Sequence, residues 1–131
     1  MLDQETQFED VSQEVLDNEI MEETMDYFYA KKEELGYETV WSMDVGTFTL
    51  TDKIYTNVPR IISYRFITNI EMDGKATWAT VTGIARDNTI ASMWAACEEA
   101  YQQAKLMGDH HIYIEDLIMQ DNGTLEMIAG S

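Results

Sequence analysis

Hydrophobic residues near the start of the chain recur at helical spacing. Apolar side chains from Val11 to Leu35 fall close to every third or fourth position, which predicts an amphipathic helix. Gly36 follows the last of them and suits a helix end, because glycine tolerates the left-handed conformation. The spacing slips around Asp17-Asn18, so two shorter helices are the alternative. We treat residues 1–36 as an acidic amphipathic helix that belongs to the same domain as residues 37–131, where we expect the sheet.

The pattern changes to alternation after this segment, which predicts a strand. Trp41 and Met43 share one face, and Phe48 continues with the opposite parity. Gly46 lies where the parity changes, so we expect a bulge or bend there. A break at 57–59, which ends in the single proline of the chain, separates this strand and a short second one from the next pair.

Residues 60–86 carry the clearest strand pattern, with Asp73-Gly74 at its centre. An Asp-Gly pair favours a two-residue hairpin turn, so we expect Met72 to pair with Lys75. In that register one strand places large side chains toward the core and the other strand places small ones. The large set is Ile62, Tyr64, Phe66, Thr68 and Ile70, and the small set opposite it is Ala85, Gly83, Val81, Ala79 and Thr77. The small set leaves room for a helix to pack closely.

The following segment, 89–107, supplies such a helix, with Asn88 or Thr89 as its N-cap and Gly108 at its end. Its apolar stripe is Ile90, Met93, Trp94, Cys97 and Tyr101, and the residues that allow close approach are Ala91, Ala95, Ala96 and Ala100. A second hairpin is predicted to turn at Asn122-Gly123. The order α-β-β-β-β-α-β-β predicts an α+β fold: a mainly antiparallel sheet of about five to six strands with the Ala-rich helix packed on it.

Charge is distributed unevenly along the chain. The 131 residues carry 25 Asp and Glu against 8 Lys and Arg, a net charge of −17. Residues 1–36 hold 12 acids and 2 bases, residues 37–97 hold 6 and 5, and residues 98–131 hold 7 and 1. This balance argues against direct binding to nucleic acid or to an anionic membrane, since both require Lys and Arg to neutralise phosphates. The acidic face of the first helix is either a solvated surface or a surface that a partner recognises.

The functional hypothesis is a non-catalytic interaction protein that binds a basic partner protein. Carboxylates spaced along a helix imitate a run of phosphates, so the partner would be a protein that binds DNA or RNA, and the class suggested by charge and size is that of small acidic phage-type inhibitors. The electrostatic field of these carboxylates would mainly raise the association rate and determine the specificity for the partner. The predicted partner-binding residues are Glu14, Asp17, Glu22, Asp26, Arg65 and Trp78.

The second face of the central hairpin is unusually apolar for a solvated surface. It carries Ile61, Ile67, Trp78 and Ile84 beside polar neighbours. We expect the first strand or the long helix to cover these residues; otherwise they form a contact surface for a target or for a second copy of the chain.

Two alternatives use the helix-covered face of the sheet as a pocket: a small-ligand-binding or sequestering domain, or a small enzyme. Their predicted pocket residues are Tyr64, Trp94 and Tyr101. No catalytic motif, cofactor motif or metal-ligand spacing stands out, and His110-His111 alone supplies too few ligands for a structural metal site. The single cysteine, Cys97, is predicted to be a core residue. Because one cysteine cannot form a disulfide within the chain, we expect a reducing, cytoplasmic setting.

Overall fold

A five-stranded mixed sheet and two helices make up the part of the chain that the computed structural model describes, residues 25–43, 49–53 and 61–130. The first helix, α1, is described over 25–35. It is followed by β1 (Val40–Trp41), β2 (Ile61–Ile70), β3 (Ala76–Ile84), α2 (Ile90–Leu106), β4 (Tyr113–Met119) and β5 (Leu125–Gly130). The strands lie in the order β1-β4-β5-β2-β3. This arrangement is α+β, as predicted from the sequence.

The sheet is mixed rather than mainly antiparallel. Both predicted hairpins, β2–β3 and β4–β5, are antiparallel, but β5 lies parallel to β2 and β1 lies parallel to β4. Helix α2 carries the chain from the β3 edge across the first hairpin to β4. The second hairpin joins β2 through its last strand, β5, which runs parallel to β2. Residues 1–24 lie outside the described residues, and so do 44–48, with the expected bend at Gly46 and the continuation at Phe48, and 54–60, which hold most of the predicted short second strand.

The first hairpin turns with one more residue than predicted. Glu71 donates its N–H to the carbonyl of Lys75 at 2.8 Å, and Gly74, at φ 88°, donates to Glu71 at 2.9 Å. These bonds close a three-residue loop with glycine in the left-handed position. The second hairpin turns in the same way, over 121–123.

A bulge at Thr68 offsets the pairing of β2 and β3 by a second residue. Tyr64 consequently faces Val81 instead of the predicted Gly83. The longer loop and the bulge each shift the pairing by one residue, which gives a total shift of two residues. Side chains alternate between the two faces of a strand, so a shift of two residues keeps the predicted faces in the body of the hairpin. Near the tip they are not kept, and Ile70 pairs with Ala76 and is exposed.

Helix α2 packs over the small side chains of β3, as the sequence predicted. Thr89 is its N-cap and accepts a hydrogen bond from the Ser92 N–H at 3.2 Å. A Cβ at Gly83 would lie 1.9 Å from the backbone oxygen of Ala96, so helix and strand approach as closely as glycine permits. The predicted apolar stripe of α2 is buried, whereas Ala95 is exposed and takes no part in the close approach.

A buried carboxylate ties the residues directly before β1 to α2. Glu98 accepts hydrogen bonds from the Thr39 N–H at 2.9 Å, from the Thr39 hydroxyl at 2.7 Å and from the Glu38 N–H at 3.1 Å. Trp94 donates its indole N–H to the same Thr39 hydroxyl oxygen at 3.0 Å. These bonds satisfy polar groups that would otherwise be buried without partners. The ring of Phe28 in α1 packs against Trp94, 5.8 Å between centroids, which joins α1 to the same core.

Candidate binding cleft and outer sheet face

The two hairpins separate from each other shortly after they meet. Among the described residues, β2 and β5 are paired only at Ile62 with Leu125 and at Ser63 with Glu126. Beyond these pairs both strands continue, β2 to Ile70 and β5 to Gly130. The sheet therefore opens into a cleft between two strands that run in the same direction.

The cleft has a volume of about 270 Å³. One wall comes from β2 and β3, the other from β5, and His111 lies on the segment before β4. The lining residues are Tyr64, Arg65, Phe66, Ile67, Trp78, His111, Glu126, Met127, Ile128 and Ala129. Mostly apolar walls with a few polar groups are typical of small-molecule sites, although this cavity is slightly smaller than their usual range of roughly 300–1,000 Å³.

A buried carboxylate organises the polar side of the cleft. Asp109 accepts a hydrogen bond from the Tyr64 hydroxyl at 2.7 Å, and its other oxygen lies 2.7 Å from Nδ1 of His111. Burial raises the pKa of Asp109, but the hydrogen bonds from Tyr64 and His111 outweigh it and leave that pKa below its ordinary value. Burial, followed by the contact with Asp109, raises the pKa of the Tyr64 phenol.

This arrangement fixes the tautomer of His111. An ionised carboxylate can only accept hydrogen bonds, so Nδ1 of His111 must donate to Asp109. In the neutral ring Nε2 then keeps a free lone pair, which makes it a hydrogen-bond acceptor. The His111 side chain is half-exposed, so a molecule in the cleft could reach it.

Arg65 and Trp78 form the opposite, outward side of the cleft. The guanidinium carbon of Arg65 lies 4.1 Å from the centre of the Trp78 ring, within the range of a cation–π contact. Arg65 stands on β2 and Trp78 on β3, where Trp78 pairs with Ile67. The contact covers part of the Trp78 side chain, and nearly half of it remains exposed to solvent.

The sheet face that α2 does not cover, here called the outer face, exposes a set of large apolar side chains. The exposed fractions are 41 % for Ile61, 42 % for Ile67, 46 % for Trp78 and 66 % for Ile84. The expectation that the first strand or the long helix covers them is not met within the described residues. Strand β1 lies beyond β4 and β5, and both helices contact the core from the opposite face.

The structure assigns the predicted site residues to different places. Arg65, Trp78 and Tyr64 line the same cleft, although the sequence had placed them in two separate hypotheses. Trp94 and Tyr101, proposed as pocket residues, are buried in the core. Asp26 is exposed on α1, whereas the other predicted contact residues of the first helix, Glu14, Asp17 and Glu22, lie outside the described residues.

Sequence reasoning did not single out Asp109 or the role of Tyr64 as its partner. The sequence contains one local indication of the Asp109–His111 contact: Asp109 directly follows the glycine that ends α2 and lies two residues before His111. An acidic side chain at that distance can bond a histidine ring across a turn. The bond to Tyr64, 45 residues earlier, has no local signature.

Other candidate chemistry is not brought together in the described part of the chain. Burial, and secondarily the charge of Glu98, raises the pKa of the Cys97 thiol, and the side chain is fully enclosed. In residues 25–43, 49–53 and 61–130 no three His, Cys, Asp or Glu side chains are grouped as metal ligands, and no helix is long and apolar enough to cross a membrane.

Comparison with protein-family models gives no match, and neither curated proteins nor solved structures match the chain.

Proposed function

We propose that this chain is a non-catalytic, cytoplasmic interaction protein that binds a basic partner protein through the outer face of its sheet. The observation that carries the proposal is the exposed apolar set around Trp78 in a chain of net charge −17. Exposed apolar side chains grouped on one face and bordered by polar residues are a feature of protein–protein interaction sites. The negative net charge of this chain indicates that the partner is positively charged.

The outer face has the composition of an interface centre. Tryptophan and arginine are the side chains that most often dominate binding energy, and here they are in contact. The cleft beside them offers space for one anchoring side chain from the partner. Ile67 pairs with Trp78 and can exclude water from this centre, whereas Ile61 and Ile84 form a second exposed apolar pair about 20 Å away along the strands.

Long-range attraction would come from the acidic segments rather than from this centre. Residues 37–97 have a net charge of only −1, whereas residues 1–36 carry −10 and residues 98–131 carry −6. Such a field raises association rates by roughly 10- to 1,000-fold and weakens with salt. Glu14, Asp17, Glu22 and Asp26 are our candidates for a phosphate-like array, which would make the partner a nucleic-acid-binding protein that this chain inhibits.

The test begins by capturing partners from a lysate of the source cells and purifying the strongest one. Association and dissociation rates are then measured at rising salt for the wild type, for Trp78→Ala and for a variant with the four candidate acids changed to Lys. We expect a basic partner. We also expect the four-site variant to associate at least ~10-fold more slowly and Trp78→Ala to dissociate at least ~10-fold faster.

A matched control changes four other exposed acids to Lys, at Glu71, Glu99, Glu115 and Asp121, and so alters the net charge equally. If only total charge matters, this control slows association as much as the test variant, and the phosphate-like array is refuted. An acidic or neutral partner, or a rate that does not depend on salt, refutes the proposal as a whole.

A second candidate function is the binding of a small molecule in the cleft. The oriented imidazole of His111 favours it, because a buried carboxylate that fixes one ring nitrogen leaves the other available for a ligand. A fragment screen by two-dimensional NMR tests this function. Binding should shift the amide signals of Ile67, Met127 and Ile128 together and be weakened in His111→Gln. Fragments that shift only residues outside the cleft would contradict it.

A further inference from the structure

Strand β3 is an edge strand with unusual chemistry for this chain. Among the described strands it has a neighbour on one side only, β2. Its nine residues, Ala76–Ile84, include no charged residue and no proline, although 25 % of the whole chain is charged. Natural proteins normally protect such edges with lysine, proline, a bulge or a short strand, because an open edge is a template for another strand.

One contact on this edge comes from α2. The side-chain amide of Gln103 donates to the carbonyl oxygen of Thr82 at 2.7 Å, and the same nitrogen lies 3.2 Å from the backbone carbonyl oxygen of Glu99. Gln103 is exposed, so its side chain can exchange this bond for one to water. The glutamine covers a backbone acceptor of β3 without preventing a second strand from reaching it.

The sequence of β3 is complementary to itself when read in the antiparallel direction about Val81. On the outer face this register places Trp78 against Ile84 of a second copy and Thr80 against Thr82. Pairs of an aromatic with a β-branched residue, and of threonine with threonine, are among the stabilising cross-strand pairs. Toward the core the same register places Val81 against Val81 of the second copy and opposes the small residues Ala79 and Gly83.

We propose that two copies of this chain associate by antiparallel pairing of their β3 strands about Val81, which joins the two sheets into one. A second copy of this chain is the partner strand that fits the β3 edge, because the hairpin that contains β3 carries no net charge. The hairpin from Ile61 to Ile84 contains Arg65, Glu71, Asp73 and Lys75 and is neutral, whereas most of the −17 charge lies in other segments. A basic partner strand would find no acidic side chain on β3 to pair with.

The salt dependence of this association has the opposite sign from that of partner binding. The remaining acidic charge of the two copies repels at long range, and salt screens the repulsion over about 8–10 Å. Dimerisation should therefore strengthen as salt rises, whereas binding of a basic protein should weaken. The two proposals can fail independently.

Sedimentation velocity on the full chain, from about 10 µM to about 1 mM, tests the proposal in the range where small interfaces associate. We expect a reversible dimer whose dissociation constant falls at least ~3-fold between low and moderate salt. In Thr80→Lys/Thr82→Lys the new lysines of the two copies face each other, and like charges directly opposed across strands are destabilising. This variant should weaken the dimer at least ~10-fold, while Gln103→Ala should strengthen it.

A matched control places two lysines at exposed positions remote from β3, Leu35 and Met119, and should leave the dimer intact. Circular dichroism establishes that every variant is folded. Isotope-filtered NMR checks the register, because Trp78 and Ile84 are about 20 Å apart along one strand and can give a contact only between copies. A chain that stays monomeric, a dimer unaffected by the paired lysines, or one that dissociates with salt overturns the proposal.

Discussion

Gly83 offers a sharp test of the packing between α2 and β3. A Cβ at this position would lie 1.9 Å from the oxygen, 2.8 Å from the carbon and 3.1 Å from the Cα of Ala96. These are backbone atoms of a helix, so no side-chain rotation relieves the overlap. Even Gly83→Ala requires α2 and β3 to move apart by about 1.1 Å before the Cβ–oxygen distance reaches 3.0 Å, in a core that is normally close-packed.

The expected cost follows from two opposing effects. Overpacking in a tight core costs ~1–3 kcal/mol, and the gap opened elsewhere between helix and strand loses further contact energy. Removing a glycine from the unfolded chain returns ~0.4–1 kcal/mol. We therefore expect Gly83→Ala to lower the free energy of unfolding by about 1–2 kcal/mol and Gly83→Leu by about 3 kcal/mol or more.

Urea unfolding followed by tryptophan fluorescence measures this effect as a shift of the midpoint. The control is Ala76→Val on the same strand, an exposed position where added methyl groups should change stability by less than ~0.5 kcal/mol. If Gly83→Ala is as stable as the wild type, the close approach of α2 to β3 is refuted, and with it the reason for a glycine here.

The remaining predictions concern polar groups. Glu98→Ala leaves the buried Thr39 groups without their acceptor and should cost at least ~2 kcal/mol in urea unfolding. Thr89→Ala removes the N-cap of α2 and should lower stability by ~1 kcal/mol, while Thr89→Ser should restore most of it. The hydrogen bond from the Thr89 side chain is the main cause that lowers the pKa of Asp87 to about 2. Because folding lowers the pKa of Asp87, the ionised carboxylate stabilises the folded state above the pKa of the unfolded chain, near 4, and this stabilisation is lost as the pH falls toward 2. Asp87→Asn should therefore remove this part of the pH dependence of the melting temperature.

Each of these predictions has an outcome that would contradict it. A Glu98→Ala variant within ~0.5 kcal/mol of the wild type would show that water replaces the carboxylate without cost. Equal losses in the alanine and serine variants of Thr89 would exclude the capping hydroxyl as the cause. Parallel pH profiles for the wild type and Asp87→Asn between pH 2 and about 5 would show that the Asp87 bond does not stabilise the folded state.

Local signals predicted the elements that depend on neighbouring residues. The stripe of α2, its Thr89 cap and its end at Gly108 follow from helical spacing and capping preference, and the structure confirms them. The faces of β2 and β3 were also predicted over most of their length, since alternation is a property of each strand. The loop was wrong by one residue because Asp-Gly and Asn-Gly suit a three-residue turn with glycine left-handed as well as a two-residue one.

Contacts between distant segments could not be predicted in this way. Nothing in the pattern of β5 indicates that it lies parallel to β2, because two hairpins can adjoin through several pairs of edges. The same holds for Asp109, which meets Tyr64 only after α2 and the second hairpin are in place. The cleft arises from these two long-range arrangements, which explains why the sequence placed its residues in separate hypotheses.

The narrow junction between β2 and β5 has a mechanical consequence. Within each hairpin the strands are paired over most of their length, so each hairpin bends little. Only two residue pairs connect one hairpin to the other among the described strands. We therefore expect the sheet to bend more readily at this junction than within either hairpin. Such bending would change the width of the cleft, and the buried hydrogen bond from Tyr64 on β2 to Asp109 before β4 would limit how far the cleft opens.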